Sequence, residues 1–398
     1  MTLPTHCDLL VIGAGIVGLT VAATWKRIHG GSVLVVEKEA DLAAHASGRN
    51  SGVLHAGFYY PEDSLKARFC RDGNRRWREW CLERDLPMRP TGKLVVARSE
   101  ADLPAMDTML QRGQRNGVTL HVVSESEALE IEPRAKTFQQ ALWSPDTAVV
   151  DPAALVRSVA AEFEAAGGQL ALGTAYVGRS NDGVVTTHGT VSAGHVVNAA
   201  GVHADTVAKH FGFGTGYRMM PFKGLYLYGD EPEGSFRTAI YPVPDLGMPF
   251  LGVHLTVTVT GAAKLGPTAM PVFGREHYQG ITGLSVDDVA TVLPRQAGMF
   301  LRDPSFRRLA VTELQKAWGS RLLDDATLLV RGLDPSQWKQ WGRPGIRAQL
   351  YSIKKQALEM DFVVEGDGHS THVLNAVSPA LTCAWPFAEH VVEEIARR

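Results

Sequence analysis

The sequence predicts an α/β protein with a second domain of the α+β type, and three features support this prediction. A short apolar run, Leu9 to Ile12, leads into closely spaced glycines and then into a helix-like run from Ile16 to about Ile28. A second apolar run, Val33 to Val36, ends in an acidic residue, Glu37. The residue pattern then changes from 217 to about 335, where it predicts strands of an antiparallel sheet followed by helices.

The opening glycine turn is the most informative motif. Short apolar runs without alternation are typical of strands buried on both faces of a parallel sheet. In the GxGxxG spacing, Gly13 permits a tight turn, Gly15 lets the backbone approach a pyrophosphate, and Gly18 lets the helix pack close to the strand. Glu37 follows at about the 20-residue distance expected of the acid that binds a ribose. The motif therefore predicts a Rossmann dinucleotide-binding unit, since a glycine-rich turn of another kind leaves Glu37 unexplained.

Length, charge and cysteine usage narrow the class. A chain of 398 residues with 45% hydrophobic residues and a net charge of -2 favours two domains and gives no electrostatic reason to expect nucleic acid binding. The four cysteines form no CxxC pair, so we expect reduced thiols, no metal site and a cytoplasmic protein. We find no secretory signal and no apolar run that could span a bilayer. Peripheral contact with the inner face of a membrane stays open.

The loop after the second strand is the next candidate for ligand binding. Residues 46–60 read Ala-Ser-Gly-Arg-Asn-Ser-Gly-Val-Leu-His-Ala-Gly-Phe-Tyr-Tyr. Backbone and side-chain donors at this density can cradle a phosphate or the polar edge of a ring. An ordinary surface loop is the alternative, but aromatic side chains and a histidine are costly to leave exposed.

The remaining elements follow from periodicity and from capping signals. We predict helices at 64–83, 102–116, 151–166 and 203–210, and helical segments from Val286 to about Val330 that Pro294 and Pro304 interrupt. We predict strands at 93–97, 169–176, 184–187, 195–197, 217–228, 250–260, 362–365 and 372–375. Ser378 and Pro379 are assigned as the N-cap and first residue of a last helix that reaches Ala396.

The nucleotide domain is predicted to be assembled from separated pieces. The small-residue turn Asn198-Ala-Ala-Gly201 lets a second loop approach the nucleotide, and the turn before the last helix returns to it. We assign residues 1–90, 145–216 and 336–398 to the nucleotide-binding domain, and residues 91–144 and 217–335 to a substrate-binding domain.

This layout resembles the glutathione-reductase-type flavoproteins of the D-amino-acid oxidase branch. Within that branch the chain is similar to the L-2-hydroxyglutarate dehydrogenase or oxidase family, and the similarity covers most of the chain. The matching stretches are Ser47-Gly-Arg-Asn-Ser-Gly-Val-Leu-His-Ala-Gly-Phe-Tyr-Tyr-Pro61, Ser64-Leu-Lys-Ala67, Ile240-Tyr-Pro-Val-Pro-Asp245, Pro249-Phe-Leu-Gly-Val-His254, Leu265-Gly-Pro267, Gly345-Ile-Arg347 and Asn375-Ala-Val-Ser-Pro379. The resemblance implies a glutathione-reductase-type FAD-binding Rossmann domain with an antiparallel-sheet substrate domain.

The resemblance also implies which residues contact FAD. They are Gly13, Ala14, Gly15, Ile16, Val17, Gly18, Glu37, Lys38, Ser47, Arg49, Asn50, Ser51, Val177, Ala199, Ala200, Gly201, Ser378, Pro379, Ala380, Leu381 and Thr382.

The implied reaction is oxidation of a 2-hydroxy acid, most similar to oxidation of L-2-hydroxyglutarate to 2-oxoglutarate, with hydride passing to flavin N5. For the base we favour His254, with His55 second, because an imidazole suits alcohol deprotonation. Arg347 is the candidate for the carboxylate, and Tyr60 and Lys223 are weaker candidates for substrate contacts. A hydrogen-bonded core histidine and a structural ion pair are the alternative roles for the histidines and for Arg347.

Two departures from the family pattern lie near the predicted substrate side. After His254 the family usually carries Thr-Pro-Arg-Met-Asp-Gly, whereas this chain has Thr256-Val-Thr-Val-Thr-Gly261. Gly-Pro-Thr-Ala from Gly266 replaces the more usual Gly-Pro-Asn-Ala. A substrate whose distal half differs from a glutarate therefore stays open.

Other functions stay open beside the 2-hydroxy acid reaction. An FAD-dependent amino-acid oxidase or deaminase can use the same fold, and a protein that keeps FAD for structure is a third possibility. The sequence does not specify the electron acceptor, and oxygen, a quinone or a carrier flavoprotein would all fit.

Overall fold

Strands and helices alternate along the chain in the computed structural model, which describes residues 2–245, 251–280, 283–302, 304–316 and 319–398. The strands are β1 (His6–Ile12), β2 (Val33–Val36), β3 (Val53–Leu54), β4 (Met88–Arg89), β5 (Lys93–Val96), β6 (His121–Ser124), β7 (Gln140–Ser144), β8 (Ala148–Val150), β9 (Gln169–Ala171), β10 (Tyr176–Ser180), β11 (Gly183–Thr186), β12 (Gly189–Asn198), β13 (Tyr217–Gly224), β14 (Leu227–Gly229), β15 (Ala239–Pro242), β16 (His254–Val257), β17 (Ala263–Gly266), β18 (Met270–Pro271), β19 (Trp338–Trp341), β20 (Gly345–Ser352), β21 (Ala357–Leu358), β22 (Val363–Gly366) and β23 (Ser370–Asn375).

The helices follow the predicted pattern closely. They are α1 (Ile16–His29), α2 (Leu65–Glu83), α3 (Leu103–Arg115), α4 (Glu125–Ile131), α5 (Pro152–Ala165), α6 (Ala204–His210), α7 (Val286–Arg302), α8 (Pro304–Lys316), α9 (Ser320–Thr327) and α10 (Ala380–Arg397). Among the described helices, none combines the length and the apolar character needed to cross a bilayer.

The chain divides into two compact units and passes between them four times. The first unit contains residues up to Asn50, Pro152–Pro221 and Arg347–Arg398. The second contains Ser51–Asp151 and the described part of Phe222–Ile346. The predicted first domain also included residues 51–90, 145–151 and 336–346, which the structure places in the second unit, whereas residues 217–221 of the predicted second domain belong to the first unit. The pairing of β8 with both β3 and β4 keeps residues 51–90 and 145–151 in the same unit.

The first unit is built on a parallel sheet. Strand β1 lies between β2 and β12, and β9 and β23 extend the sheet on its two sides, all in parallel pairing. In this register Ile12 is paired with Val36 and with Asn198, which in turn is paired with His372. The carboxyl ends of these strands therefore meet along one edge, where ligands bind in open α/β sheets.

Helix α1 packs against this sheet and against α10. The Thr20 hydroxyl of α1 donates to the Ala384 carbonyl of α10 at 3.3 Å, and Arg27 pairs with Glu389 at 3.0 Å. On the other face of the sheet, buried apolar residues of β1, β2 and β12, such as Leu10, Leu34 and Val196, form a core with Val207 of α6. The last helix is thus part of the unit that the opening strand begins.

The second unit is built on an eight-stranded sheet in the order β19-β14-β17-β16-β15-β5-β7-β6, in which β5 and β15 are parallel. Its two faces differ, because side chains alternate along each strand. Leu94, Ile240, Leu255 and Leu265 point to a core that includes Leu322 of α9. The residues between them point to the opposite face, which is described with the candidate site below.

Several local predictions were wrong. Pro294 lies inside α7 and does not interrupt it, and the predicted strand 217–228 is divided into β13 and β14. Pro379 is the N-cap of α10, with a non-helical φ of -99° and ψ of 46°, so the helix begins one residue later than predicted and Ser378 lies outside it. The strand predicted at 250–260 is shorter, His254–Val257, and Phe250 lies outside the described residues.

Candidate active site

The glycine turn of the first unit forms a cradle that side chains would fill. Gly13 has a φ of +104°, and a Cβ at this position would lie 2.7 Å from the carbonyl oxygen of Ala199. A Cβ on Gly18 would lie 2.0 Å from the carbonyl oxygen of Gly13. These distances are shorter than van der Waals contact, so only glycine lets the turn, the helix and the Ala199–Ala200 turn approach each other this closely.

The N-terminus of α1 opens at this cradle. Gly15 is its N-cap residue and has no side chain to cap the free N–H groups. Ser47, from the predicted phosphate loop, accepts from the Ile16 N–H through Oγ at 2.9 Å. Glu37 accepts from the Ala14 N–H at 2.9 Å, which places the carboxylate directly beside the turn. A helix N-terminus, a hydroxyl and an acid at this position fit the diphosphate and ribose of a dinucleotide.

Other predicted cofactor residues of the first unit lie on the same strand-end loops or at helix starts. The Lys38 ammonium contacts the Glu39 carboxylate and lies 2.9 Å from Nε2 of His45. The Arg49 Nε donates to the Ala44 carbonyl at 2.6 Å, and Asn50 donates to the Ser47 carbonyl at 2.9 Å. These bonds fix the loop backbone.

The midway turn and the last helix complete this group of positions. The Ala200 N–H donates to the Asn198 side chain at 3.2 Å, and Gly201 has a φ of +56°. Val177 on β10 is 58% exposed, and Ser51 belongs to the second unit. Ala380, Leu381 and Thr382 form the first turn of α10 after Ser378 and Pro379.

The second unit holds a separate group of buried polar side chains on one face of its eight-stranded sheet. We call the face formed by Lys93, Tyr241, His254, Thr256 and Lys264 the polar face. The pairings of Lys93 with Ala239, of His254 with Gly266 and of Thr256 with Lys264 put all five side chains on the same side of the sheet. The five residues are at most 5% exposed.

The loop that carries His55 is held by side-chain amides of α2 and of the residue after α3. Asn74 donates to the carbonyls of Leu54 at 3.0 Å and of His55 at 3.2 Å, and Asn116 donates to the carbonyl of Gly57 at 3.0 Å. Residues Val53–Tyr59 are buried. This part of the loop is therefore not an ordinary surface loop, and its contact with a ligand stays a prediction.

The structure brings the two predicted histidines into electrostatic contact. Nδ1 of His254 lies 3.0 Å from the Gly252 carbonyl, which can only accept, so Nδ1 holds the hydrogen and Nε2 keeps a lone pair. The His254 ring also stacks on Tyr241, with ring centroids 3.8 Å apart. Burial, followed by the charges of Lys93 and Lys264, lowers the pKa of His254 to about 3, against the donation to Gly252. Burial also holds the pKa of His55 well below its usual value.

Two buried lysines flank the histidines. Burial lowers the pKa of Lys93 to about 7 and that of Lys264 to about 8. The Lys93 ammonium lies 4.7, 4.6 and 4.8 Å from the ring centroids of Phe58, Tyr59 and Tyr241. Within the described part of the chain, neither lysine has a carboxylate partner. The polar face is therefore cationic and suits an anionic ligand.

The other predicted catalytic residues are not members of the polar face. Arg347 belongs to the first unit, on β20, and its Nε donates to Oε1 of Gln349 at 3.2 Å. The Lys223 ammonium, on β13, donates to the Tyr278 carbonyl at 3.4 Å, and burial lowers its pKa. The Tyr60 ring has the Lys66 ammonium 5.8 Å from its centroid. The prediction did not identify Lys93, Tyr59, Tyr241 or Lys264. The available signal for Lys93 was a lysine at the start of an otherwise apolar strand.

A glycine cradle at the carboxyl edge of a parallel sheet, with an acid one strand away, defines the class of dinucleotide-binding α/β proteins. The chain belongs to the FAD-dependent oxidoreductase (DAO) family, whose model matches residues 8–393. The predicted fold class and the FAD cofactor are confirmed, and the chain is an FAD-dependent oxidoreductase.

Curated relatives match nearly the whole chain. The L-2-hydroxyglutarate dehydrogenase of Indibacter alkaliphilus is 31% identical, with 98% of this chain and 99% of the relative covered. The mitochondrial L-2-hydroxyglutarate dehydrogenase of Homo sapiens is 32% identical, with 98% and 89% covered. The predicted resemblance to this family is therefore confirmed.

Solved structures share the fold. The dithionite-reduced L-alpha-glycerophosphate oxidase of Mycoplasma pneumoniae with FAD bound matches with a TM-score of 0.76 at 20% identity, covering 98% of this chain and 95% of that chain. The L-proline dehydrogenase of P. horikoshii matches with a TM-score of 0.72 at 18% identity, covering 99% and 94%.

Proposed function

We propose that this protein oxidises L-2-hydroxyglutarate to 2-oxoglutarate with FAD. The observation that supports this substrate is the match of curated L-2-hydroxyglutarate dehydrogenases, bacterial and animal, along nearly the entire chain. The reaction removes a hydride from C2 and a proton from the adjacent hydroxyl, which leaves a carbonyl. FAD, when bound, supplies the acceptor for that hydride.

In this proposal His254 takes the hydroxyl proton at Nε2. The bond from Nδ1 to the Gly252 carbonyl supports this role, because it leaves the Nε2 lone pair unprotonated and fixes the orientation of the ring. A pKa of about 3 keeps the imidazole uncharged at neutral pH. An anionic substrate adds negative charge beside the imidazole, so we expect binding to raise its pKa toward the working range. His55 is the second candidate for this role.

We assign carboxylate binding to Arg347, because a guanidinium can donate to both oxygens at once. Tyr60 and Lys223 are further candidates for substrate contacts. The first unit, through Gly13, Gly15 and Glu37, is proposed to hold the cofactor, and the second unit to hold the substrate.

We propose oxygen or a quinone as the electron acceptor, with peripheral membrane contact through α7 and α8. This contact is supported by side chains of these helices that are apolar and exposed, Val286 at 86%, Leu301 at 74% and Leu314 at 56%. Arg307 and Arg308 are also exposed there and suit an anionic lipid surface. Cosedimentation with anionic vesicles tests the contact, and reoxidation by oxygen or by a quinone tests the acceptor.

Anaerobic reduction of the FAD-loaded protein tests the substrate. L-2-hydroxyglutarate should bleach the flavin absorbance, and His254→Ala should slow the reduction about 10²–10⁴-fold. His55→Ala is measured in parallel as the competing assignment. A flavin that no L-2-hydroxy acid reduces would contradict the proposed function. Ammonia released from amino acids would instead support an amino-acid oxidase.

A further inference from the structure

The hairpin of β16 and β17 places a second cation beside the candidate base. Thr256 is paired with Lys264 and His254 with Gly266, so His254 and Lys264 are diagonal neighbours on the polar face. Such neighbours lie roughly 7–8 Å apart in an antiparallel pair, within reach of one small ligand. The influence of the Lys264 charge on His254 supports this proximity.

Lys264 lacks a negative partner within the chain that the structure describes. Its ammonium donates to the Ser51 carbonyl at 3.0 Å and lies 4.6 Å from the ring centroid of Tyr226. One hydrogen bond leaves two N–H donors for a ligand. The segment 256–261, Thr-Val-Thr-Val-Thr-Gly, which connects His254 to this strand, contains no charged side chain. Lys264 is thus the first cation after His254 along the hairpin.

A cation this deeply buried is stabilised by an anion, because burial disfavours the charged form. Lys264 is 5% exposed, and its pKa of about 8 leaves it mostly protonated at neutral pH. Both ammoniums lie near aromatic rings, three around Lys93 at 4.6–4.8 Å and two near Lys264, Tyr226 at 4.6 Å and Tyr228 at 5.9 Å. Lys264 is the one whose ammonium is oriented by a hydrogen bond, to the Ser51 carbonyl, and whose strand places it diagonally across from His254. Of the two buried lysines, Lys264 is therefore the better placed to bind a ligand directly.

We propose that Lys264 binds the second carboxylate of a dicarboxylic 2-hydroxy acid and sets the preference for such substrates. This inference rests on the proposed function, in which the hydroxyl lies at His254. The second carboxylate accepts hydrogen bonds from the two remaining N–H groups of Lys264. The carbon chain of the substrate spans the distance between Lys264 and His254.

The test compares proteins with and without the Lys264 ammonium, each with substrates that have or lack the second carboxylate. Flavin reduction is measured anaerobically with L-2-hydroxyglutarate and with L-2-hydroxypentanoate, in which a methyl group replaces the second carboxylate. Lys264→Met should raise the apparent Kd for L-2-hydroxyglutarate about 10–100-fold, the range for a charged hydrogen bond. The Kd for L-2-hydroxypentanoate should change less than about threefold. Lys264→Arg should retain most of the preference, and Lys136→Met, at a surface lysine, should change neither Kd.

A second measurement does not depend on turnover. Glutarate and butanoate are titrated into the oxidised protein, and the perturbation of the flavin spectrum gives their Kd. Lys264→Met should weaken the binding of glutarate and leave the Kd of butanoate unchanged. If the Met variant does not fold, Lys264→Gln is used for the same test.

Three outcomes would overturn the inference. If Lys264→Met weakens the binding of both substrates equally, Lys264 is a structural residue. If the variant changes neither Kd, Lys264 does not bind the substrate. If the unaltered protein is reduced by neither acid, the proposed function fails first, and this inference fails with it.

Discussion

Replacing the buried Lys93 with methionine should stabilise the protein at neutral pH. The Lys93 side chain is 0% exposed, and its ammonium has no hydrogen-bond partner among the described residues. A pKa lowered from 10.5 to about 7 corresponds to about 3.5 pKa units, or about 5 kcal/mol at about 1.4 kcal/mol per unit. Attraction to the three surrounding rings, about 1 kcal/mol each, offsets about 3 kcal/mol of this cost. We expect Lys93→Met to be about 1–3 kcal/mol more stable at pH 6.5.

The sign of the pH dependence follows from the lowered pKa. Between about pH 7 and 10.5 the folded protein leaves Lys93 unprotonated, whereas the unfolded chain protonates it. Stability of the unaltered protein therefore rises with pH in this window, and the cost of burying the charge is largest below pH 7. The advantage of Lys93→Met should shrink by about 2 kcal/mol from pH 6.5 to 8.5, or roughly 4–8 °C in the difference in Tm.

Thermal unfolding of the FAD-loaded proteins at pH 6.5, 7.5 and 8.5 measures this effect, with Lys136→Met as the surface control. Lys93→Arg, which keeps its charge throughout this range, should be destabilised at every pH. A Lys93→Met variant that is less stable at all three pH values, or whose advantage stays constant with pH, would refute the reasoning.

Three further changes test the cradle and the loop that carries His55. Gly13→Ala brings a Cβ within 2.7 Å of the Ala199 carbonyl oxygen at a φ of +104°, so we expect a loss of about 2–4 kcal/mol and of bound flavin per chain after purification. Ser47→Ala removes the acceptor of the Ile16 N–H and should cost about 1 kcal/mol and weaken FAD binding several-fold, measured by flavin fluorescence. Asn74→Ala leaves three backbone carbonyls without their donor and should lower stability by about 1–3 kcal/mol, measured by Tm, and slow flavin reduction. Unchanged flavin content, FAD affinity or Tm would contradict the respective prediction.

The opening unit was predictable because its signals are local. The glycine spacing, the apolar runs and Glu37 lie within 30 residues, and each reflects a backbone or burial requirement that neighbouring residues do not change. β1, α1 and β2 accordingly have nearly the predicted bounds. The start of α10 was missed because a serine followed by a proline is the usual pair at the N-cap and the first helical position, whereas the backbone angles of Pro379 are not helical.

The polar face could not be predicted because its members are far apart in sequence. Lys93, Tyr241 and Lys264 meet only through strand order, which no local pattern specifies. A lysine at the start of an apolar strand is ambiguous, because such residues are normally exposed at strand ends. His55 and His254 were identified from the resemblance, while their pKa values depend first on burial and then on lysines that only the structure brings close.

Because the chain passes four times between its units, the first unit cannot be completed until late in synthesis. Strand β12 of the first unit acquires its neighbour β23 from residues 370–375, and α1 acquires its packing partner α10 from residues 380–397. During synthesis the glycine cradle is therefore translated early but lacks these supports until the ribosome has added more than 300 further residues. We therefore expect that a chain truncated before β23 does not retain flavin.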